Sequence, residues 1–127
     1  MTPAERVALA FLAGGLAGWA LENVFARSSD APLRFSNGFG RAPVPFLPVY
    51  GFGAAAVVLA APYLRTLPAG PRAVAYGAGL SGLEWIAGLA DRSLGPPSWD
   101  YGQGATTSLG HAAIWGLLAL GVEGMSG

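Results

Sequence analysis

Four long apolar runs constrain the fold of this chain more than any other feature of its sequence. The runs cover residues 7–25, 44–64, 73–90 and 109–122. Each of the first three approaches the roughly 20 residues that an α-helix needs to cross the hydrocarbon core of a bilayer. The fourth reaches that length only if it begins near Thr106 or continues to Met125. We therefore predict a single domain, residues 1–127, with four transmembrane helices at about 4–26, 44–64, 73–90 and 107–124.

The composition supports this class of protein. Hydrophobic residues make up 53% of the chain and charged residues 11%, with a mean hydropathy of +0.47. A water-soluble domain usually has about a quarter charged residues. The alternative is a buried helical core in a soluble protein, but too few polar residues remain to coat four such helices. The predicted fold class is all-α: a polytopic membrane protein built as a four-helix bundle.

Missing residue types exclude several kinds of chemistry. The 127 residues contain neither cysteine nor lysine, so a thiolate nucleophile, a cysteine metal cluster, a lysine Schiff base and a P-loop lysine are all excluded. Seven arginines balance seven acidic residues, which argues against a nucleic-acid partner. One histidine and scattered carboxylates make a poor metal site. We expect no metal and no cofactor.

The first helix has a clear start. Thr2 can cap it, Pro3 falls in its first turn, and Glu5 lies three residues after the cap. The alternative is a signal peptide cleaved after Ala26, but Glu22 interrupts the end of that apolar run. We expect the first helix to remain part of the protein.

The three connections predict how the helices pair. Residues 27–43 and 91–106 form long polar connections, whereas residues 65–72, "RTLPAGPR", form a short turn. An antiparallel bundle places both long connections at the same end. "GLAG" precedes Glu22 and "GLSG" precedes Glu84, and two repeated helical hairpins would explain this similarity.

Polar and small residues follow one face of two helices. On the third helix they are Gly77, Ser81, Glu84, Gly88 and Asp91, and on the first helix they are Gly15, Gly18 and Glu22. Spacings of three and four residues place each set on a single helical face. Gly14 and Gly18 also form a G-x-x-x-G pair, a pattern that lets helices approach closely. We expect both glutamates to face inward.

These side chains are expected to meet at the end of the bundle that has the long connections. The residues concerned are Glu22, Tyr50, Glu84 and His111 on the helices, and Asn37, Trp99, Asp100 and Tyr101 in the connections. At the opposite end we expect no comparable group. A charge at the centre of a bilayer costs about 3 kcal/mol on insertion scales, so a carboxylate there is a candidate for function. The alternatives are a glutamate that only fixes helix register and aromatic side chains that only anchor the bilayer interface.

Six short motifs resemble a known family. They are "GWALE" (18–22), "NGF" (37–39), "PFLPVYGFG" (45–53), "LE" (83–84), "WDY" (99–101) and "WG" (115–116). Together they look like the putative ABC-transporter permease family (type IV, CmpB-like) of small bacterial membrane proteins, to which the animal transmembrane-229 proteins are similar. The resemblance spans nearly the whole chain and implies a location in the bacterial cytoplasmic membrane. Gly38 and Gly102 depart from the arginine and serine that are usual in the family.

The resemblance implies a shared site. Its residues would be Glu22, Asn37, Tyr50, Glu84, Asp100 and Tyr101. The first functional hypothesis is a protein that binds or moves a small polar or amphipathic molecule at this acidic and aromatic site. One four-helix chain is small for a carrier, so this hypothesis calls for a homo-oligomer or a partner subunit, including a separate ATPase. Membrane lipids are the other expected partners.

Two further hypotheses remain open. An intramembrane enzyme would use a buried carboxylate as general acid or base on a lipid or isoprenoid. Its candidate catalytic residues are Glu84, Asp100, Glu22 and His111, with Asn37, Tyr50, Trp85, Trp99 and Tyr101 around the substrate. A scaffold subunit would use the same polar groups only to hold its helices together.

Overall fold

Four α-helices and a short C-terminal 3₁₀ turn make up the described structure. The computed structural model describes residues 1–25, 46–95 and 107–127, and at 21–25 and 46–48 it describes the backbone alone. The elements are α1 (Pro3–Phe25), α2 (Phe46–Leu64), α3 (Ala69–Ser93), α4 (Leu109–Val122) and the C-terminal turn (Glu123–Ser126). Within these ranges there is no strand, and the predicted all-α fold with four helices is confirmed. None of the helices, over the residues described, is both long enough and apolar enough for a membrane crossing.

The helix starts follow from local capping chemistry. The backbone N–H of Glu5 donates to Thr2 Oγ1 at 3.2 Å, and the Thr2 backbone nitrogen donates to Glu5 Oε2 at 2.7 Å. This is the reciprocal arrangement of a capping box, so the predicted start of the first helix is confirmed. At the start of α4, Ser108 Oγ accepts a hydrogen bond from the backbone N–H of His111 at 3.1 Å.

The third helix begins at Ala69, earlier than the predicted residue 73. Pro71 therefore lies in its first turn, where proline is tolerated because the N–H groups there have no intrahelical acceptor. The Arg72 backbone N–H already donates to the carbonyl of Pro68 at 3.0 Å. The connection between α2 and α3 is thereby reduced to residues 65–68.

The helices pair as two antiparallel hairpins, the first of which joins α1 to α2. These two helices pack along most of their length. A Cβ atom added at Gly14 would collide with the side chain of Ala54, and one added at Gly18 would collide with the ring of Tyr50. The prediction that this glycine pair lets a neighbouring helix approach is confirmed.

The second hairpin joins α3 to α4, and its backbones are even closer. A Cβ atom at Gly77 would collide with the carbonyl oxygen of Ala112, and one at Gly116 would collide with that of Ala73. In contrast, α2 and α3 touch over only a few residues. The chain is thus two tightly packed hairpins with a looser boundary between them.

Small side chains fill the interior. One buried cluster consists of Ala10, Ala54 and Val58, with Val122 and Met125 packed against it. Because Val122 is the last residue of α4 and Met125 lies in the C-terminal turn, this cluster joins the first hairpin to the end of the second.

A second buried cluster joins three helices. It consists of Val57 on α2, Tyr76 on α3 and Ala119 on α4. Both clusters lie in the half of the bundle that contains the α2–α3 connection.

A polar group, here called the clasp, closes that same end and consists of Arg6, Arg65, Arg72, Tyr76 and Glu123. Glu123 is a buried residue, 8% exposed. Arg72 Nη2 lies 2.9 Å from Glu123 Oε1, and the Tyr76 hydroxyl donates to Glu123 Oε2 at 2.9 Å. The expectation that this end has no comparable polar group is therefore wrong. The prediction failed because the apolar run of α4 ends at Val122. Glu123 lies just beyond that run, so the hydrophobic pattern does not place it in the bundle.

The other two arginines of the clasp reach the C-terminal turn from the first hairpin. Arg6 Nη1 donates to the carbonyl of Ser126 at 2.7 Å. Arg65 Nη1 donates to the carbonyl of Gly127 at 2.5 Å, and its Nη2 donates to that of Glu123. These carbonyls are the acceptors that the end of a helix leaves without an intrahelical partner.

The glycine contacts between α3 and α4 give a direct test of this packing. Gly116→Ala should lower the free energy of unfolding by about 1 to 3 kcal/mol, because the added methyl group meets backbone rather than a flexible side chain. Gly121→Ala, on the same helix, is the control: a Cβ there meets nothing within 4 Å. Thermal unfolding followed by tryptophan fluorescence measures both. Equal midpoints for the two variants would contradict the close approach.

Candidate functional site

Glu84 is buried on the inner face of α3. The residue is 6% exposed, and Gly77 and Gly88 on the same face are also buried. The prediction that this glutamate faces inward is confirmed. It lies nine residues before the end of α3, which is about 13 Å along the helix axis.

Trp115 on α4 binds this carboxylate. Its indole Nε1 donates a hydrogen bond to Glu84 Oε2 at 2.9 Å. The bond connects the two helices of the second hairpin, whose close approach at Gly77 and Gly116 brings an α4 side chain within reach of α3. A carboxylate removed from water is stabilised by such donors, because its burial is otherwise costly.

Tyr50 on α2 completes a cluster that includes all four helices. Its ring lies edge-on to that of Trp115, with the centroids 5.2 Å apart and an interplanar angle of 63°. This is a favourable geometry for an aromatic pair. Gly18 on α1 provides the space for the tyrosine ring. We refer to Gly18, Tyr50, Glu84 and Trp115 as the Glu84 cluster.

A second polar group lies close to this carboxylate on the same helix face. Ser81 is one turn before Glu84, and its Oγ is buried without a hydrogen-bond partner. A hydroxyl can both donate and accept. Together with Ser81, the Glu84 cluster therefore offers an acidic group, a hydroxyl without a hydrogen-bond partner and two aromatic rings. Chemically, such a set can bind a polar group of a ligand beside an apolar one, or exchange a proton with it.

Several predicted site residues lie outside the described structure. Asn37, Trp99, Asp100 and Tyr101 belong to the connections that are not described. Glu22 is in the last turn of α1, about one turn after Gly18, but its side chain is not described. Their place in the site stays a prediction.

Two other predicted residues, Trp85 and His111, have described positions on α3 and α4. Trp85 is on the outer face of α3 and is 53% exposed. His111 is in the first turn of α4, where its Nδ1 lies 2.6 Å from Ser108 Oγ, so it takes part in the cap of that helix. The structure brings neither side chain into contact with Glu84 among the contacts described.

The predicted site residues do not include the aromatic partner of Glu84. Trp115 belongs to the "WG" motif at residues 115–116, and the sequence around it gives no sign of a contact with Glu84. Because Trp85 is next to Glu84 in the chain, it is about 100° away around the helix and points elsewhere. The signal that indicates Trp115 is the antiparallel pairing of α3 with α4. In such a hairpin the second half of α3, which contains Glu84, lies beside the first half of α4.

The clasp also had a signal in the sequence. Arg72 and Tyr76 are four residues apart and so share a face at the start of α3. In an antiparallel hairpin the start of α3 lies beside the end of α4, where Glu123 follows. Among the residues described, no three acidic or histidine side chains come together in a way that could hold a metal ion.

The fold and the cluster together define a class: a small all-α bundle of two hairpins around a buried carboxylate. The family model described as "Putative ABC-transporter type IV" matches residues 9–125. The chain therefore belongs to this family, and the resemblance identified from the short motifs is confirmed. No curated protein matches the chain, and no solved structure does.

The bond between Trp115 and Glu84 predicts a measurable contribution to stability. Trp115→Phe keeps an aromatic ring but removes the N–H donor, leaving the buried carboxylate with one hydrogen bond fewer. We expect the free energy of unfolding to fall by about 1 to 3 kcal/mol. Trp85→Phe, at an exposed position of α3, is the matched control and should change little. Thermal unfolding followed by circular dichroism makes the comparison, and similar losses in both variants would refute the assignment.

Proposed function

We propose that the chain is an integral membrane protein that binds or moves a small polar or amphipathic molecule at the Glu84 cluster. Membership of the type IV ABC-transporter family supports a role in transport. The observation that carries the proposal is a buried carboxylate beside an unpartnered hydroxyl in a bundle whose outer surface is apolar.

The distribution of side-chain size supports a membrane location. The fully buried apolar residues are mostly alanine and valine, whereas many large apolar side chains are exposed on every helix. Examples on the four helices are Leu12 and Leu16, Phe52 and Leu59, Ile86 and Leu89, and Ile114 and Leu117. Water-soluble proteins bury these large residues first. Helices in lipid pack through small residues and face the hydrocarbon with large ones.

An apolar surface of this extent must be shielded from water. Exposed apolar patches mark membrane contacts or protein interfaces, and here the exposed side chains are distributed around all four helices. A bilayer covers such a surface from every side, whereas a single partner covers one side. The bacterial cytoplasmic membrane is the location that the family implies, and further subunits would occupy part of the surface.

The cluster supports binding of a ligand with a polar head. Glu84 is held by a neutral donor, the indole N–H of Trp115, and Ser81 lies one turn away with a buried hydroxyl that has no partner. A buried polar atom without a partner is costly, and a site for a ligand is one reason for a protein to retain it. The aromatic rings of Tyr50 and Trp115 would contact the apolar part of the same molecule.

The chain would work with other subunits. It contains no lysine and so no P-loop lysine, which means that an ATP-driven role needs a separate ATPase. A second copy of the chain is the other candidate, since four helices form a small carrier.

The membrane location has a simple test. Expressed in a bacterial host, the protein should stay in the membrane pellet after extraction with alkaline carbonate and should enter solution only with detergent. The exposed leucines and phenylalanines give the reason, because detergent or lipid must replace water around them. Release by carbonate alone would contradict the proposal, as would recovery in the soluble fraction.

The binding site has its own test, made on the detergent-solubilised protein by native mass spectrometry. A small molecule should co-purify with the wild-type chain, and its occupancy should fall at least about tenfold in Glu84→Gln, as expected for the loss of a charged hydrogen-bonding partner. Ser81→Ala should lower the occupancy less, and Trp85→Phe should leave it unchanged. The same purification shows whether an ATPase or a second copy is attached.

Each alternative hypothesis makes a different prediction. An enzyme would change the lipid composition of the host membrane, and this change would disappear in Glu84→Gln. A scaffold subunit would retain its partner in Glu84→Gln and would carry no small molecule. Equal occupancy in the wild-type chain and in Glu84→Gln would remove the Glu84 cluster as the binding site.

A further inference from the structure

Three arginines from different parts of the chain converge on the C-terminal turn. Arg6 of α1 and Arg65, which directly follows α2, both donate hydrogen bonds to backbone oxygens of residues 123–127. Arg72 of α3 reaches the same place from the other side, with its Nη2 atom 2.9 Å from the carboxylate of Glu123. Three guanidinium groups therefore surround one short stretch of chain.

Positive charge exceeds negative charge in the clasp. Among the described residues, Glu123 is the one acidic side chain that contacts these arginines, and it pairs with Arg72. The other two arginines bind backbone oxygens. If the oxygen of Gly127 is counted as a terminal carboxylate, three cations still face two anions. Glu5, also near this end, takes part in the capping box of α1 instead. An anion bound here would compensate the excess charge.

The guanidinium groups also have hydrogen-bond donors that the described structure does not use. A guanidinium carries five N–H groups. Arg6 uses one of them and Arg65 uses two. The Nε atom of Arg72 is buried and has no hydrogen-bond partner. A buried donor without an acceptor is costly, so an acceptor from outside the chain would stabilise this group.

This end of the bundle can be reached from outside. Arg65 is an exposed residue, and the side chain of Arg72 is 19% exposed. A Cβ atom added at Gly70, in the first turn of α3, or at Gly124, in the C-terminal turn, would meet nothing within 4 Å. The connection between α2 and α3 and the C-terminal turn both belong to the described structure. A ligand can therefore approach the clasp from the surface.

We propose that the arginines of the clasp bind a phosphate group, either in the headgroup of an anionic lipid or as free phosphate. Phosphate oxygens accept several N–H groups at once, and the planar fork of arginine suits this bidentate geometry. The bound anion compensates the excess positive charge, while the C-terminal turn holds the three side chains in place. None of these residues belongs to the Glu84 cluster, so this site is separate from the one proposed above.

The two sources of phosphate make different demands on the protein. The lipid source rests on the membrane location proposed above, because only there does this end of the bundle lie beside headgroups. Basic clusters next to membrane-spanning helices attract anionic lipids. Free phosphate requires no bilayer. Lipid and inorganic phosphate are therefore tested separately.

Native mass spectrometry of the full chain in detergent tests the lipid source. The probes are phosphatidylglycerol and phosphatidylcholine with the same acyl chains, since both contain a phosphate but only the first has a net negative charge. We expect the wild-type chain to bind phosphatidylglycerol at least about tenfold more tightly. Arg6→Gln and Arg65→Gln should each remove most of this preference. Arg92→Gln, in the last turn of α3, changes the charge equally outside the clasp and should leave the preference unchanged.

Isothermal titration calorimetry with inorganic phosphate tests the free source on the same variants. Saturable binding to the wild-type chain should weaken at least about fivefold in Arg6→Gln and in Arg65→Gln, because each loses a charged donor. Sodium chloride at the same ionic strength is the control for general screening of charge.

The proposal is overturned if the wild-type chain neither prefers phosphatidylglycerol nor binds phosphate saturably. Binding that both clasp variants retain overturns it too, as does an equal loss in Arg92→Gln, which would assign the effect to overall charge. Circular dichroism shows which variants are folded. An unfolded glutamine variant is replaced by the lysine variant, which keeps the charge but loses the bidentate fork and should also bind phosphate more weakly. Recovery of the chain in the soluble fraction would remove the lipid source alone and leave the test with inorganic phosphate in force.

Discussion

Close backbone approach at glycine is the constraint on which the rest of this structure depends. Gly77 and Gly116 let α3 and α4 approach until any added methyl group would strike a carbonyl oxygen. Only at this separation can the indole of Trp115 reach the carboxylate of Glu84 from the neighbouring helix. Gly18 has the same effect in the first hairpin, where it provides space for Tyr50. Glycines, which have no side chain, therefore allow the helix contacts that hold a buried acidic group in place.

The two polar groups of the bundle are built on different principles. In the clasp, Glu123 is paired with Arg72 and bonded to Tyr76, so its charge is compensated by a permanent partner. Removing one member of such a pair is far more destabilising than the pair is stabilising, which suits a structural junction. Glu84 receives its described hydrogen bond from a neutral indole and lies next to a hydroxyl without a partner. The first arrangement suits a structural junction, and the second is the basis of the ligand site that we propose.

Much of the fold could be predicted from the sequence, because it rests on local patterns. The capping box at Thr2 and Glu5 and the inward face of Gly77, Glu84 and Gly88 both depend on residues of one helix. The pairing of Glu84 with Trp115 and of Glu123 with Arg72 could not be read in this way. Which residues of two neighbouring helices face each other depends on the register between those helices, and packing sets that register. Proximity in sequence instead favoured Trp85, which the helical turn directs outward.

By itself, the sequence determined the number of helices, the inward face of α3 and the family to which the chain belongs. Those properties follow from the order and spacing of residues along a single helix. The tertiary structure decided which aromatic side chain binds Glu84 and that both ends of the bundle have a polar group. Within the described residues, it also decided which side chains connect the hairpins: the arginines of the clasp at the C-terminal turn, and the rings of Tyr50 and Trp115. These are relations between helices, and only their packing fixes them.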